Sequence, residues 1–355
     1  MSADDVAGAK GGALTRAEHL LELHRPQEAL RVLAATLAQH PDNGTVLCLA
    51  ARAELQLQEP GRAQELAARA AAAQPHAEYP LRLLALSLSE MGRSDEACEA
   101  AQAAVASAPN LWQTHHTLAH VCSGVPGKTS VAWDAARRAV ELAPHEAETH
   151  AVLGRVAVED ENQTAAEESL REALRLNPDH AGARNDLGRL AVLRKDHFGA
   201  ASHFAHAAAS DVRMDVAQHN IDAALAMAVG RVVFWVSIAV FVIGRFAVKE
   251  ESDSAVGFGY LLLVVLVGLA IWQIILVVPA ARGGLGPYLR LLPHRDRAMT
   301  ATVGLLVFGM IALMVMCVVP PESRFWPLMV GVPAVLGSRI LLEVRARKLK
   351  KAFEG

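Results

Sequence analysis

His116 and His120 stand four residues apart with His115 and Cys122 close by, a spacing that places two imidazoles on one helix face, within reach of one soft transition metal. No glutamate lies between them to serve as the general base of a zinc hydrolase, and histidines that simply line a groove are the plainer account. The stretch 124–130, GVPGKTS, has the glycine, lysine and hydroxyl types that cradle phosphate. The first glycine of that pattern would fall on Cys122, and the segment joins two helical stretches instead of following a strand, so it reads as a turn expanded by one residue. There is no GxSxG, no Asp-rich metal loop and no Ser, His and Asp order of a nucleophilic triad. No catalytic residue, cofactor site or metal site is expected, and the chain is expected not to be an enzyme. Cys48, Cys98, Cys122 and Cys317 are scattered, without a CxxC or a spacing that frames a disulfide or zinc site, and read as buried small residues in a reducing compartment.

The elements that would position these residues fall into two halves. At 355 residues the chain is long enough for two domains. Its 52% hydrophobic content, mean hydropathy of +0.24 and 5% aromatics describe an apolar segment averaged with an alanine-rich one. A net charge of −3 supplies no basic field for nucleic acid. Residues 1–12 carry Asp4 and Asp5 and no apolar run, so they are expected to be disordered and not to act as a secretory signal.

The first half repeats. Pro41, Pro75, Pro109, Pro144 and Pro178 each follow an apolar helical stretch at separations of 34, 34, 35 and 34 residues, and a further 34 reaches Val212. Twelve residues before each step stands an alanine: Ala29, Ala63, Ala97, Ala132, Ala166 and Ala200. A second small set is Thr36, Ala70, Ala104, Ala139, Ala173 and Ala207, and a third is Ala17, Ala51, Ala85, Ala119, Gly154 and Gly188. Residues this small are required where helices cross closely.

With Leu84-Ala85, Leu118-Ala119, Leu153-Gly154 and Leu187-Gly188, and with RPQEALRVLAATLAQHPDN and AAEESLREALRLNPDH, the segment resembles the tetratricopeptide repeat (TPR) family. The resemblance covers about six repeats over 13–212 and implies helical hairpins stacked into a superhelix. His115, His150 and Arg184 depart from it at repeat position 4, where the family has bulky packing residues. The resemblance also implies a concave groove lined by positions 5 and 9 of each first helix. Carried over repeat by repeat, these are Arg52, Arg82, His116, His120, Arg155, Asn185 and Arg189, with Leu86 interrupting the row. Guanidinium groups suit carboxylates, so an acidic peptide or helix is the expected occupant, against solvated arginines with no ligand. Glu90, Glu148 and Glu159 would partly neutralise the stripe. The family's basic pattern for gripping a C-terminal carboxylate is not reproduced, and chaperone tails are not expected partners.

Residues 213–228 have the apolar spacing of a capping or linker helix, with Val216, Ile221 and Leu225 on one face. Four apolar runs follow within 229–348, about 229–248, 256–279, 299–319 and 325–342, each near the ~20 residues that cross a bilayer. Arg282, Arg290, Arg295 and Arg297 between the second and third runs place that loop inside. Arg345, Arg347, Lys348, Lys350 and Lys351 do the same for the basic tail, 343–355. Both termini are then cytoplasmic. The alanine and arginine usage suits a bacterium and hence a plasma membrane.

The sequence therefore predicts an all-α chain, a TPR-like superhelix followed by four transmembrane helices. Its expected role is a scaffold or adaptor that binds a protein or peptide partner at the cytoplasmic face of the bilayer, with no nucleic-acid or small-molecule ligand. The alternative is a regulatory or structural subunit of a transporter or channel, for which Gln273 and Pro333 within the spans are the pertinent residues.

Overall fold

A computed structural model of the chain describes residues 3–210, 220–221, 297–318, 333–338 and 340–341. The described residues are all α, without a strand. They divide into two compact units, Met1–Asp186 and Leu187–Gly355.

In the first unit the helices are α1 (Ala3–Glu22), α2 (Pro26–Gln39), α3 (Gly44–Gln56), α4 (Pro60–Ala73), α5 (Glu78–Glu90), α6 (Ser94–Ser107), α7 (Trp112–Cys122), α8 (Thr129–Leu142), α9 (Ala147–Glu159) and α10 (Gln163–Leu176). Each odd-numbered helix packs on the next to form a hairpin, and each hairpin packs on its successor. The first helices also touch one another, α1 on α3, α3 on α5, α5 on α7 and α7 on α9, which makes them an inner row. This is a TPR-like helical-repeat superhelix. The helix α1 begins at Ala3, so the expected disorder over 1–12 gives way to helix from residue 3. Alanine at 7, 9 and 13 has high helix propensity, and the sequence places negative charge at 4 and 5, within the first turn, which suits a helix dipole.

The core is built largely of alanine. Ala51 and Ala67 share one buried cluster; Ala85, Ala101, Ala119 and Ala136 share another. The inter-helix distance in these hairpins is set by methyl groups, and where position 8 is glycine the residue facing it is large.

The periodicity is visible in the backbone too. A left-handed residue stands two positions before each second helix, at His24, Gln58, Gly92, Gly127, Glu161 and Lys195, at steps of 34, 34, 35, 34 and 34. The one extra residue falls inside GVPGKTS, where Gly124 is also left-handed. A β-carbon is disfavoured in this conformation by about 1 kcal/mol. Glu161→Gly, at an exposed position, should therefore raise the stability by up to ~1 kcal/mol, less the added freedom of glycine in the unfolded chain. Denaturant titration reads the gain; no shift in midpoint would show that this turn carries no strain.

The exit turns use the residues that departed from the family pattern. His115 Nε2 donates to the carbonyl of Pro109 at 2.8 Å, His150 Nε2 to that of Pro144 at 2.9 Å, and Arg184 Nε to that of Pro178 at 3.1 Å. Thr114 and Thr149 donate to the carbonyls of Ala108 and Ala143, both at 3.0 Å. Position 4 thus latches the first helices α7, α9 and α11 (Ala181–Leu193) to the turns before them. Asn43 and Asn162 cap α3 and α10, the Asn162 oxygen accepting from Ala165 N–H at 3.2 Å.

Cys98 and Cys122 are joined by a disulfide, with Cα atoms 5.5 Å apart, both fully buried. This corrects the expectation of four unpaired cysteines. The two are 24 residues apart in sequence, and only the packing of α6 on α7 brings them together.

In the second unit lie the remainder of α11 (Ala181–Leu193), whose first residues belong to the first unit, α12 (His197–Ser210) and α13 (Arg297–Val318), with helical residues at 333–338. Taken over the described residues, no helix is long and apolar enough to cross a membrane. The helix α13 has 22 residues, but the side chains described along it are confined to 300–312. The expected runs at 229–248 and 256–279, the basic loop and the tail lie outside the described residues, as do 325–332 and most of 213–228.

Candidate peptide-binding groove

Position 5 or 9 of the inner helices carries each expected groove residue, and the structure links most of them into one polar chain. Arg52 on α3 lies against the Tyr79 hydroxyl, where its charge and hydrogen bond oppose the burial that pushes the phenol's pKa up. Arg82 on α5 packs its guanidinium over the Tyr79 ring at 5.7 Å, donates to Thr117 Oγ1 at 3.2 Å and lies 3.9 Å from Glu78. On α7, Trp112 meets His116 edge-on at 6.0 Å, and His116 stacks parallel to His120 at 6.3 Å. Arg155 on α9 donates to His120 Nδ1 at 2.6 Å and to Asp186 Oδ2 at 3.0 Å. Asn185, beside Asp186, is buried at 6% exposure. Arg189 belongs to the second unit.

Sequence spacing placed these residues in a row; it did not foresee that they would bind one another. The contact from Arg155 fixes His120 as the tautomer with an unprotonated Nδ1. Burial, then the Arg155 charge and the neighbouring His116, hold the His120 pKa down at about 3; burial, then Arg155, Arg82 and His180, hold His116 at about 4. Both rings are only half-buried by surface area, yet every charge acting on them is positive, so a neutral state at physiological pH follows. His180, which sequence reading did not single out, joins this cluster from the turn before α11. With Nδ1 of His120 already engaged, the pair is arranged as a hydrogen-bonded stack. Among the described residues no group of three or more metal-ligating side chains converges.

The GVPGKTS loop joins α7 to α8 and borders a hollow of about 120 Å³ with Ser123, Val156, Glu159 and Asp160. The Glu159 carboxylate lies 3.3 Å from where a β-carbon on Gly124 would sit, and Asp160 accepts from the Trp133 indole at 3.1 Å. A loop flanked by two carboxylates and following a helix is the opposite of a phosphate cradle.

The family model described as "Tetratricopeptide repeat" matches residues 14–78 and 152–212. Among solved structures, MamA from Desulfovibrio magneticus RS-1 is 21% identical, covering 49% of this chain and 98% of its own, with a TM-score of 0.37. The pilF protein of Pseudomonas aeruginosa is 17% identical over 60% of this chain and 96% of its own, with a TM-score of 0.45. PilW, a type IV pilus biogenesis factor, is 15% identical over 61% of this chain and 97% of its own, with a TM-score of 0.48. No curated protein sequence matches the chain. With the constant pitch and the hairpin packing in agreement, the hairpins within residues 14–78 and 152–212 are tetratricopeptide repeats, and those between them keep the same pitch.

Proposed function

We propose that the chain is a non-enzymatic adaptor whose repeats hold an acidic protein segment against the inner row of helices while its C-terminal half anchors it in a lipid bilayer. The observation that carries the first part is the continuous row of first helices from α3 to α9, bearing Arg52, Arg82, His116, His120 and Arg155 at groove positions, with Leu86 and Ala151 between them. Immobilised poly-glutamate should retain the full-length chain, and Arg52→Glu should weaken retention; equal retention on neutral poly-glutamine would count against an acidic partner.

The anchor is supported by an inside-out pattern on α13. Val307, Phe308 and Ile311 are 50%, 53% and 54% exposed, while Thr302 and Gly309 are buried. At 333–341, Leu336 and Ile340 are exposed, while Ser338 is fully buried together with Ala334 and Val335. Water-soluble helices bury their large apolar residues; small and polar residues inside with large apolar ones outside suit lipid. Retention in the membrane pellet after an alkaline carbonate wash is expected, and release into the wash would refute the anchor.

The Lys and Arg count of the loops supports a cytoplasmic repeat array at a plasma membrane. The Cys98–Cys122 bond favours a second reading, with the array on the oxidising side, because disulfides persist there. Protease added outside sealed cells separates the two: a protected array supports the cytoplasmic placement, and a cleaved one the other.

A further inference from the structure

One buried donor beside the groove row, in the turn before α11, lacks an acceptor. Nδ1 of His180 accepts from Ala183 N–H at 3.1 Å, so the neutral ring carries its proton on Nε2, and that Nε2 is buried without a partner. A buried N–H left unpaired is costly, and the missing group is an acceptor. A β-carbon on Gly182 would meet His180 Cε1 at 3.2 Å and Arg155 Nη2 at 3.6 Å, so the imidazole and the guanidinium both close on the bare backbone of residue 182.

His116 faces the same cluster. The charged groups acting on it are Arg82 from α5, Arg155 from α9 and His180 from the turn before α11; none acts from α6 or α8, the other helices packed on α7. The two nearby carboxylates are already engaged, Asp186 with Arg155 and one oxygen of Glu78 near Arg82, while the second Glu78 oxygen is buried and unpartnered. The exposed Glu148 on α9 is not among the charges acting on His116. An anion placed here would reverse the sign of the local field.

We propose that a carboxylate of the acidic partner enters between His116, His180 and Arg155, and that His116 takes up one proton from solvent as it does, so that capture tightens on acidification. This rests on the acidic-partner reading above and adds its regulation. His180 Nε2–H and Arg155 supply hydrogen bonds to the carboxylate, and the protonated His116 supplies the matching charge. A free small anion has the same chemistry, and the test separates it.

The experiment uses the full-length chain in mild detergent and labelled poly-glutamate, followed by polarisation at constant salt. Affinity should rise about tenfold from about pH 7.5 to about pH 5.5, with circular dichroism confirming the fold at each pH. Calorimetry at about pH 5.5 in two buffers of different ionisation enthalpy should show uptake of close to one proton per site, falling towards none at about pH 7.5. His116→Asn should abolish that uptake, whereas His180→Gln, which still donates but cannot titrate, should weaken binding and keep it. Binding of the wild-type chain without proton uptake overturns the linkage and leaves the adaptor reading standing; no binding at either pH overturns both. Competition by inorganic phosphate as strong as that by poly-glutamate would overturn the assignment to a partner carboxylate. If His116→Asn fails to fold, the wild-type proton count alone decides.

Discussion

Acidifying the unliganded chain from about pH 7 to about pH 4 is expected to destabilise the repeat array by a few kcal/mol, with His116 and His120 as the main source. In the folded state their pKa values lie at about 4 and about 3, against an ordinary value of 6.5. Above about pH 6.5 both rings are neutral in either state and contribute nothing to the slope. Below it the unfolded chain takes up protons that the folded chain refuses, so stability falls with pH until His116 titrates near 4 and His120 near 3. The Glu54 carboxyl acts in the opposite sense: burial raises its pKa in the folded state, so acidification relieves a penalty there. One carboxyl does not offset two imidazoles held neutral by burial and by the Arg82 and Arg155 guanidinium groups. His120→Asn keeps an acceptor for Arg155 without a titrating ring. Urea midpoints measured across the range should therefore show a flatter pH dependence for this variant than for the natural chain, and parallel curves would show that the stack is not the acid-sensitive element.

Much of the fold was legible because stacking hairpins demand a constant pitch, and the prolines and small residues record that pitch directly. The 35-residue step between Pro109 and Pro144 even located the expanded turn that the structure resolves into two left-handed glycines, Gly124 and Gly127. Contacts between repeats were less legible. The bond between Cys98 and Cys122 joins the second helix of one hairpin to the first helix of the next, a neighbour relation that carries no fixed sequence spacing. His115, His150 and Arg184 were read as faults in apolar packing because the family pattern is written in side-chain size; their partners are backbone carbonyls, which no pattern of residue types displays. In the groove, spacing gave the row of positions but not the pairing of Arg155 with His120 and Asp186, which depends on long side chains crossing from one repeat to the next. His180 escaped notice because it precedes its helix, outside the positions that line the row.

Gly154→Ala is expected to cost about 1–3 kcal/mol even though alanine occupies the same position in four other repeats. A β-carbon there would stand 2.5 Å from Leu170 Cγ, 2.6 Å from Leu170 Cδ2 and 3.2 Å from the Leu170 backbone nitrogen. Leu170 is fully buried, so its side chain has nowhere to retreat, and α9 and α10 must separate instead. In three other hairpins the corresponding positions are Ala51 with Ala67, Ala85 with Ala101, and Ala119 with Ala136, and in the first they are Ala17 with Leu33, so this hairpin sets its large residue against no side chain at all. Leu170→Ala alone should leave a cavity and cost about 2–5 kcal/mol. The double variant restores the alanine pair that neighbouring repeats use, and its cost should fall short of the sum of the single costs by about 1–3 kcal/mol. Chemical unfolding of the four chains measures this coupling. Simple additivity would mean that the two helices adjust freely to either residue, and that glycine at this crossing reflects something other than the bulk of the leucine facing it.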